Sequence, residues 1–412
     1  MKKILAVLLF ALPLWAGNLL EIIALAQSAR LESLKEFNKN EYINKNKSKK
    51  LNLSLDGRYT FVPDEIKGGY MTKAGSITAK VEYLIFDGGA SEAADKILDH
   101  KGVEKIYKDE ELMNLTAFQV AKVYFNAVAL NSLINLETKF VDSFAKAAAE
   151  NEFWFEYGEI DKSEFDAINF TLNKKKRAEL DELGLKLAEL NSRINLLSNG
   201  EIGFNAGSKI MMPDFSKDDI SAKLGAMEQE KFIKEQENEK QKSKFAPKIY
   251  LKDTQSVNNN SFKKGERTTS QMIGAYADAN KPRVEFEWKL PDSLSLSKQS
   301  QVKRIEEQKA ALDLSDEENR IITRLKELES TIKGLNAKLN LQDLKQDKLD
   351  SDFVDLLNGY LDGEIKYEEF LFVSEKNFSD RANFILDGDL LELNKLEYFF
   401  ECARKINEVI IE

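Results

Sequence analysis

Along residues 51–61 the odd positions are Leu51, Leu53, Leu55, Gly57, Tyr59 and Phe61, and the even ones are Asn52, Ser54, Asp56, Arg58 and Thr60. Strict period-two alternation predicts a strand with one apolar and one wet face. A second strand over 76–86 sets Ile77, Ala79, Val81, Tyr83 and Ile85 against Ser76, Thr78, Lys80 and Glu82. In the second half, 248–257 reads as a weak strand. Residues 282–290 alternate well, Val284, Phe286, Trp288 and Leu290 against Arg283, Glu285, Glu287 and Lys289. Strands of this length suit a membrane barrel or a soluble hairpin packed on a helix.

The period then changes to that of helices. Residues 90–156 form a 67-residue stretch without proline, predicting a rod of about 100 Å. A turn at Tyr157-Gly158-Glu159-Ile160-Asp161 returns the chain into a second helix over 163–199. The plan recurs: Val284-Glu285-Phe286 matches Val81-Glu82-Tyr83, and Gly363-Glu364-Ile365 matches Gly158-Glu159-Ile160. Two landmarks keeping register imply an internal duplication, with repeats at 17–215 and 216–412 and hairpins at about 90–199 and 294–411. A further helix is predicted over 18–48, and a carboxy-terminal one over 367–411. Leu180, Leu183, Leu187, Leu190, Ile194 and Leu197 follow a coiled-coil spacing, as do Ile321, Leu325, Leu328, Ile332, Leu335 and Leu339. The fold class is therefore mostly α with a small β part.

Residues 1–16 carry Lys2-Lys3, an apolar run from Ile4 to Trp15 and the small Ala16, the layout of a cleavable export signal. A net charge of −10 without a basic, aromatic-rich cluster argues against nucleic acid. His100 is the only histidine and Cys402 the only cysteine, which excludes histidine-pair catalysis, an internal disulfide and most histidine-rich metal sites. Asp387-Gly388-Asp389 starts like a calcium loop, but Leu391 stands where a third oxygen ligand is needed. No enzyme motif, metal site or cofactor is predicted. Cys402 reads as a small packed hydrophobe.

The ordered features resemble the TolC family of trimeric outer-membrane efflux and type I secretion proteins. They are the export signal, a strand pair and long hairpin in each half, Phe86-Asp87-Gly88-Gly89 at one strand-to-helix junction and Leu290-Pro291 at the other, and the glycine turns. Glu164-Phe165 and Glu369-Phe370 stand six residues after the two turn glycines, where the family usually has Asp followed by Val. No arginine stands near the second tip, which departs from the family.

The resemblance implies four strands per subunit in a 12-stranded trimeric barrel, and coiled-coil hairpins forming a periplasmic tunnel. It implies a homotrimer in outer-membrane lipid, working with a periplasmic adaptor and an inner-membrane transporter. Asp56, Arg58, Lys80, Glu82, Arg283, Glu285, Glu287 and Lys289 would face the barrel lumen, four of each sign. Gly158 and Gly363 would serve adaptor docking. Residues 150–166 and 350–369 each hold seven acids against one base, and Glu164, Glu369, Glu368 and Asp362 are the candidates for the periplasmic gate. A solvated hairpin end is the plainer explanation of that charge, and Gly158 and Gly363 could equally serve only to close their turns. Two other readings stay open: the periplasmic adaptor itself, or a structural coiled coil without a pore. An adaptor, however, would carry one hairpin rather than two.

Overall fold

A computed structural model describes residues 16–33, 39–47, 49–61, 71–198, 203–204, 207–215, 222–262, 282–288 and 293–412. The elements run β1 (Ala16–Gly17), α1 (Leu19–Ser33), α2 (Lys39–Asn46), β2 (Leu51–Phe61), β3 (Met71–Phe86), α3 (Ala90–Glu156), α4 (Lys162–Asn173), a π-helical turn (Lys174–Glu179) and α5 (Leu180–Ser198). They continue with β4 (Gly203–Phe204), β5 (Lys209–Ile210), α6 (Ala222–Lys242), β6 (Lys248–Phe262), β7 (Arg283–Glu287), α7 (Ser293–Leu361), α8 (Tyr367–Glu401) and β8 (Ile410–Ile411). The predicted export signal, apart from Ala16, lies outside the described residues, as do Lys289, Leu290 and Pro291.

The chain divides into two units. One takes Phe37–Ile106 and Gly225–Asp316 and holds a four-stranded antiparallel sheet in the order β2-β3-β6-β7. The halves of the chain therefore meet strand to strand. β3 pairs with β6 from Met71↔Phe262 to Phe86↔Ile249, with irregularities near both ends. β6 is no marginal strand but a 15-residue one bonded on both sides. Register explains why its alternation misleads. Leu251, Asp253 and Gln255 share one face, opposite Tyr83, Val81 and Ala79. Two polar side chains on the otherwise apolar face break the pattern, and pairing with neighbours overrides local preference.

In the same unit, Phe86-Asp87-Gly88-Gly89 turns β3 into α3. The Asp87 carboxylate accepts the Gly89 and Ser91 N–H groups at 3.2 and 2.8 Å, capping donors that the helix leaves open. Gly88 has φ +71, and a Cβ there would stand 2.3 Å from Ala246 Cβ, in the segment that leads into β6. Only glycine meets both the left-handed backbone and the close approach.

The other unit takes Met1–Glu36, Tyr107–Leu224 and Glu317–Glu412. Its first core gathers Leu19, Ile22, Ile23, Val120, Tyr124, Ile194, Leu328, Ile332, Tyr398 and Phe399. Leu187, Leu190, Ile194 and Leu197 of one predicted seam, on α5, and Leu325, Leu328, Ile332, Leu335 and Leu339 of the other, on α7, supply this core. Of the predicted helix over 18–48, α1 and α2 are described, and residues 34–38 lie outside the described residues.

The carboxy-terminal helix stops at Glu401 rather than continuing to residue 411. Ala403 takes φ 56, and its N–H and that of Arg404 return to the Phe400 and Phe399 carbonyls, closing a Schellman cap. The last residues then pair as β8 with β5. α8 fastens this small sheet: Glu392 accepts the Ile210 N–H at 2.6 Å, and Lys395 Nζ donates to the Ile210 carbonyl at 3.1 Å. Cys402 is buried at the cap, in the first core.

Candidate functional site

The polar face of the sheet carries a cross-strand ladder of charges. Lys80 reaches Asp56 at 3.8 Å, and Arg283 reaches Glu285 at 3.0 Å. Between them Lys252 bridges Glu82, at 3.3 Å, and Glu285. Lys252 joins the candidate residues as an addition that sequence reasoning missed, because the weak alternation of its strand hid its face. Glu287 stands opposite Lys248. Arg58 occupies β2 opposite Ser76, and Lys289 lies outside the described residues. The other face is apolar and uncovered in the single chain: Leu53, Leu55, Val284 and Phe286 are 66, 74, 68 and 62% exposed. Among the described residues, no helix is long and apolar enough to cross a membrane.

The two hairpin turns have the same backbone construction. Gly158 and Gly363 adopt φ 77 and 74. The Gly158 and Glu159 N–H groups return to the Phe155 and Trp154 carbonyls, and those of Gly363 and Glu364 to Tyr360 and Gly359. Both are Schellman motifs, for which a left-handed residue is required. Both glycines are exposed, with open space where a Cβ would stand.

The start of each return helix differs. Asp161 caps α4 by accepting the Glu164 N–H at 2.9 Å, whereas Lys366, in the equivalent place before α8, makes no side-chain cap. Glu164 is half-buried; Glu368, Glu369 and Asp362 are exposed. All four lie at or beside the two turns, and carboxylates in a first helical turn are favoured by the macrodipole. No hydrogen bond or ion pair joins Glu164 to Glu369 among the described residues.

Behind the turns the hairpins interlock through aromatics. Phe140, Phe144, Phe353, Tyr360, Tyr367 and Phe370 form a second core with Ile168. Tyr360 stacks on Phe370 at 4.6 Å and meets Trp154 edge-on at 5.5 Å. Two polar ties cross between the hairpins: Tyr360 donates to Asn151 Oδ1 at 3.3 Å, and the Tyr367 and Thr171 hydroxyls lie 3.1 Å apart. Burial first, and the Glu164 carboxylate second, push the Tyr360 hydroxyl well above its usual pKa, so it stays a donor.

Further along the same unit, the π-helical turn holds Lys175 buried, 3.9 Å from Glu137 on α3 and 3.5 Å from Glu179. Lys175 Nζ also lies 4.8 Å from the centre of the Phe378 ring. Both Glu137 carboxyl oxygens are buried without a hydrogen bond. Burial raises Glu137 to about 7, against the pull of Lys175 and with help from Glu179. Neither the interlock nor this cluster was a sequence candidate.

No protein-family model and no curated protein sequence matches the chain. Solved structures do. The channel CusC matches with a TM-score of 0.76 at 12% identity, covering 94% of this chain and 92% of its own. The outer-membrane protein VceC of Vibrio cholerae gives 0.76 and 12%, covering 94% and 96%. The Campylobacter jejuni outer-membrane channel CmeC gives 0.75 and 11%, covering 93% and 85%. The chain has the fold of these outer-membrane channels. It is the fold that the TolC resemblance implies, and the likeness takes in nearly the whole chain. At such identity the likeness carries the fold and no residue's role.

Proposed function

We propose that the protein is an outer-membrane channel, the exit duct of a tripartite efflux pump or a type I secretion system. The observation that carries this is the sheet: one face is apolar apart from Asp253 and Gln255 and is uncovered, the other is charged, and both outer strands, β2 and β7, leave an edge unpaired among the described residues. Open edges are not tolerated in lipid, so the sheet must close with further copies. Three copies of four strands make twelve, an even count within the range of known barrels. An adaptor or a pore-free coiled coil leaves the apolar face without a partner.

In this reading the homotrimer sits in the outer membrane and extends into the periplasm. Asp56, Arg58, Lys80, Glu82, Lys252, Arg283, Glu285, Glu287 and Lys289 line the barrel, and the hairpins form the tunnel that carries small molecules or protein. A periplasmic adaptor docks at the tips and an inner-membrane transporter supplies the cargo. The open space beside Gly158 and Gly363 suits a close-packed partner backbone. Replacing either with leucine would then leave trimers in the membrane and abolish export.

The test is conductance across a planar bilayer by purified protein, with its oligomeric state measured in detergent. A trimer with discrete conductance steps supports the reading. A soluble periplasmic protein without conductance overturns it.

A further inference from the structure

The chain from α2 up to β2 is basic in an otherwise acidic protein: residues 39–50 hold Lys39, Lys45, Lys47, Lys49 and Lys50 against the single acid Glu41. Lys47, Lys49 and Lys50 line an open groove of about 590 Å³ together with Leu51, Tyr83 and Asp95. Three cations against one carboxylate leave its wall positive. The three lysines are exposed, and of them Lys50 alone acts on a carboxylate outside the groove, that of Glu92, as the smallest of the influences on it. Lys175 is buried between Glu137 and Glu179, whereas the groove lysines hold their ammonium groups in the open.

The groove's apolar side indicates what they meet. Leu51 stands opposite Tyr83 in the ladder, Tyr83 opposite Leu251, and Leu251 opposite Val284, a row crossing the whole sheet on its uncovered face. These side chains are 50, 44, 44 and 68% exposed. The Lys50 carbonyl accepts the Leu84 N–H at 2.8 Å, which sets the Lys50 backbone one step below that row. One step further along, Phe86, Ile249 and Phe286 pair across three strands. Trp288 follows, its indole N–H donating to the Phe245 carbonyl at 3.2 Å. Aromatic rings at the end of an apolar band mark the headgroup level of a membrane, and exposed lysines at that level meet phosphates.

We infer that Lys47, Lys49 and Lys50 form a binding site for an anionic phospholipid of the periplasmic leaflet, its phosphate on the ammonium groups and its acyl chains along Leu51 and Tyr83. The inference rests on the membrane-channel reading. An ammonium cluster beside an apolar floor suits an amphiphile; inorganic phosphate would use only half of the groove. Such a lipid would hold the channel at a set depth as well as in the leaflet.

The test titrates short-chain phosphatidylglycerol, phosphatidylethanolamine of equal chain length, and inorganic phosphate into the detergent-solubilised full chain, read by native mass spectrometry. Phosphatidylglycerol should bind in preference to both. The triple variant Lys47→Gln/Lys49→Gln/Lys50→Gln should lose roughly 100-fold of that affinity, at about fivefold per lysine. Arginine at all three positions should restore it. Equal binding of the two lipids, an unaffected triple glutamine variant, or inorganic phosphate that competes at the lipid's own concentration would each overturn the assignment. Conductance of the triple glutamine variant in a neutral-lipid bilayer separates the two claims. A pore without lipid preference sinks the lipid site alone, and no pore from either protein sinks the channel reading.

Discussion

Tyr360, near the end of α7, donates its hydroxyl to Asn151 on α3 across 3.3 Å, and both residues are buried. The bond joins two hairpins whose residues are 209 positions apart in sequence. Asn151 Nδ2 already lacks a partner among the described residues, so this oxygen is the amide's one satisfied atom. Tyr360→Phe keeps the stacking on Phe370 and removes only the bond. Leaving a buried acceptor open costs about 1–3 kcal/mol. The expected result is a lower Tm of the purified protein, together with a larger closed-state conductance as the tips loosen. An unchanged conductance would show that the bond is structural and does not restrain the tips.

Glu137 predicts an unusual pH response. Its carboxyl is raised to about 7 in the folded chain, from an ordinary value of 4.5. The folded form therefore holds a proton that the unfolded chain releases between those values, and stability falls as pH rises from about 4.5 to about 7. Acidifying from pH 8 to pH 5.5 should raise the Tm. Glu137→Gln should flatten that dependence and match the acid-stabilised protein at pH 8. Retention of the full pH dependence by the glutamine variant would assign the titration elsewhere.

The junction glycines should separate in their sensitivity. Gly88→Ala meets a left-handed φ of +71 and a contact of 2.3 Å with Ala246 Cβ. Gly89→Ala, at φ +91, meets open space and only the backbone penalty. The first should cost about 1–3 kcal/mol more than the second, the usual penalty for overpacking. Denaturant unfolding of the two variants measures the difference, and equal losses would show that Ala246 yields.

Glu164 and Glu369 should govern ion selectivity if the tips converge in a trimer, because rings of carboxylates favour cations. The parent channel should be cation-selective, more so at low salt. Glu164→Gln/Glu369→Gln should weaken the selectivity. Glu164, whose charge adds to burial in raising the second hairpin's tyrosines, should contribute more than Glu369 to the closed-state conductance. A double variant with the parent's selectivity and conductance would remove both residues from the gate.

Local chemistry alone determined much of this protein. The helix over 90–156 follows from an unbroken helical pattern without proline, and the two turns from glycines where a left-handed residue ends a helix. The strands β2 and β3 follow from alternation, since a half-buried strand must present two chemically different faces. What depended on partners was hidden. β6 carries Asp253 and Gln255 on its apolar face and owes its 15 residues to ladders on both sides, a long-range effect that periodicity does not register. With it went Lys252. Ala403 takes a left-handed φ of 56 that no residue type announced, and so the last helix ends ten residues before its apolar pattern does. The Tyr360–Asn151 bond and the buried Lys175 and Glu137 exist only because four helices meet. Such contacts are chosen by packing geometry, for which neighbouring residues in the chain carry no signal.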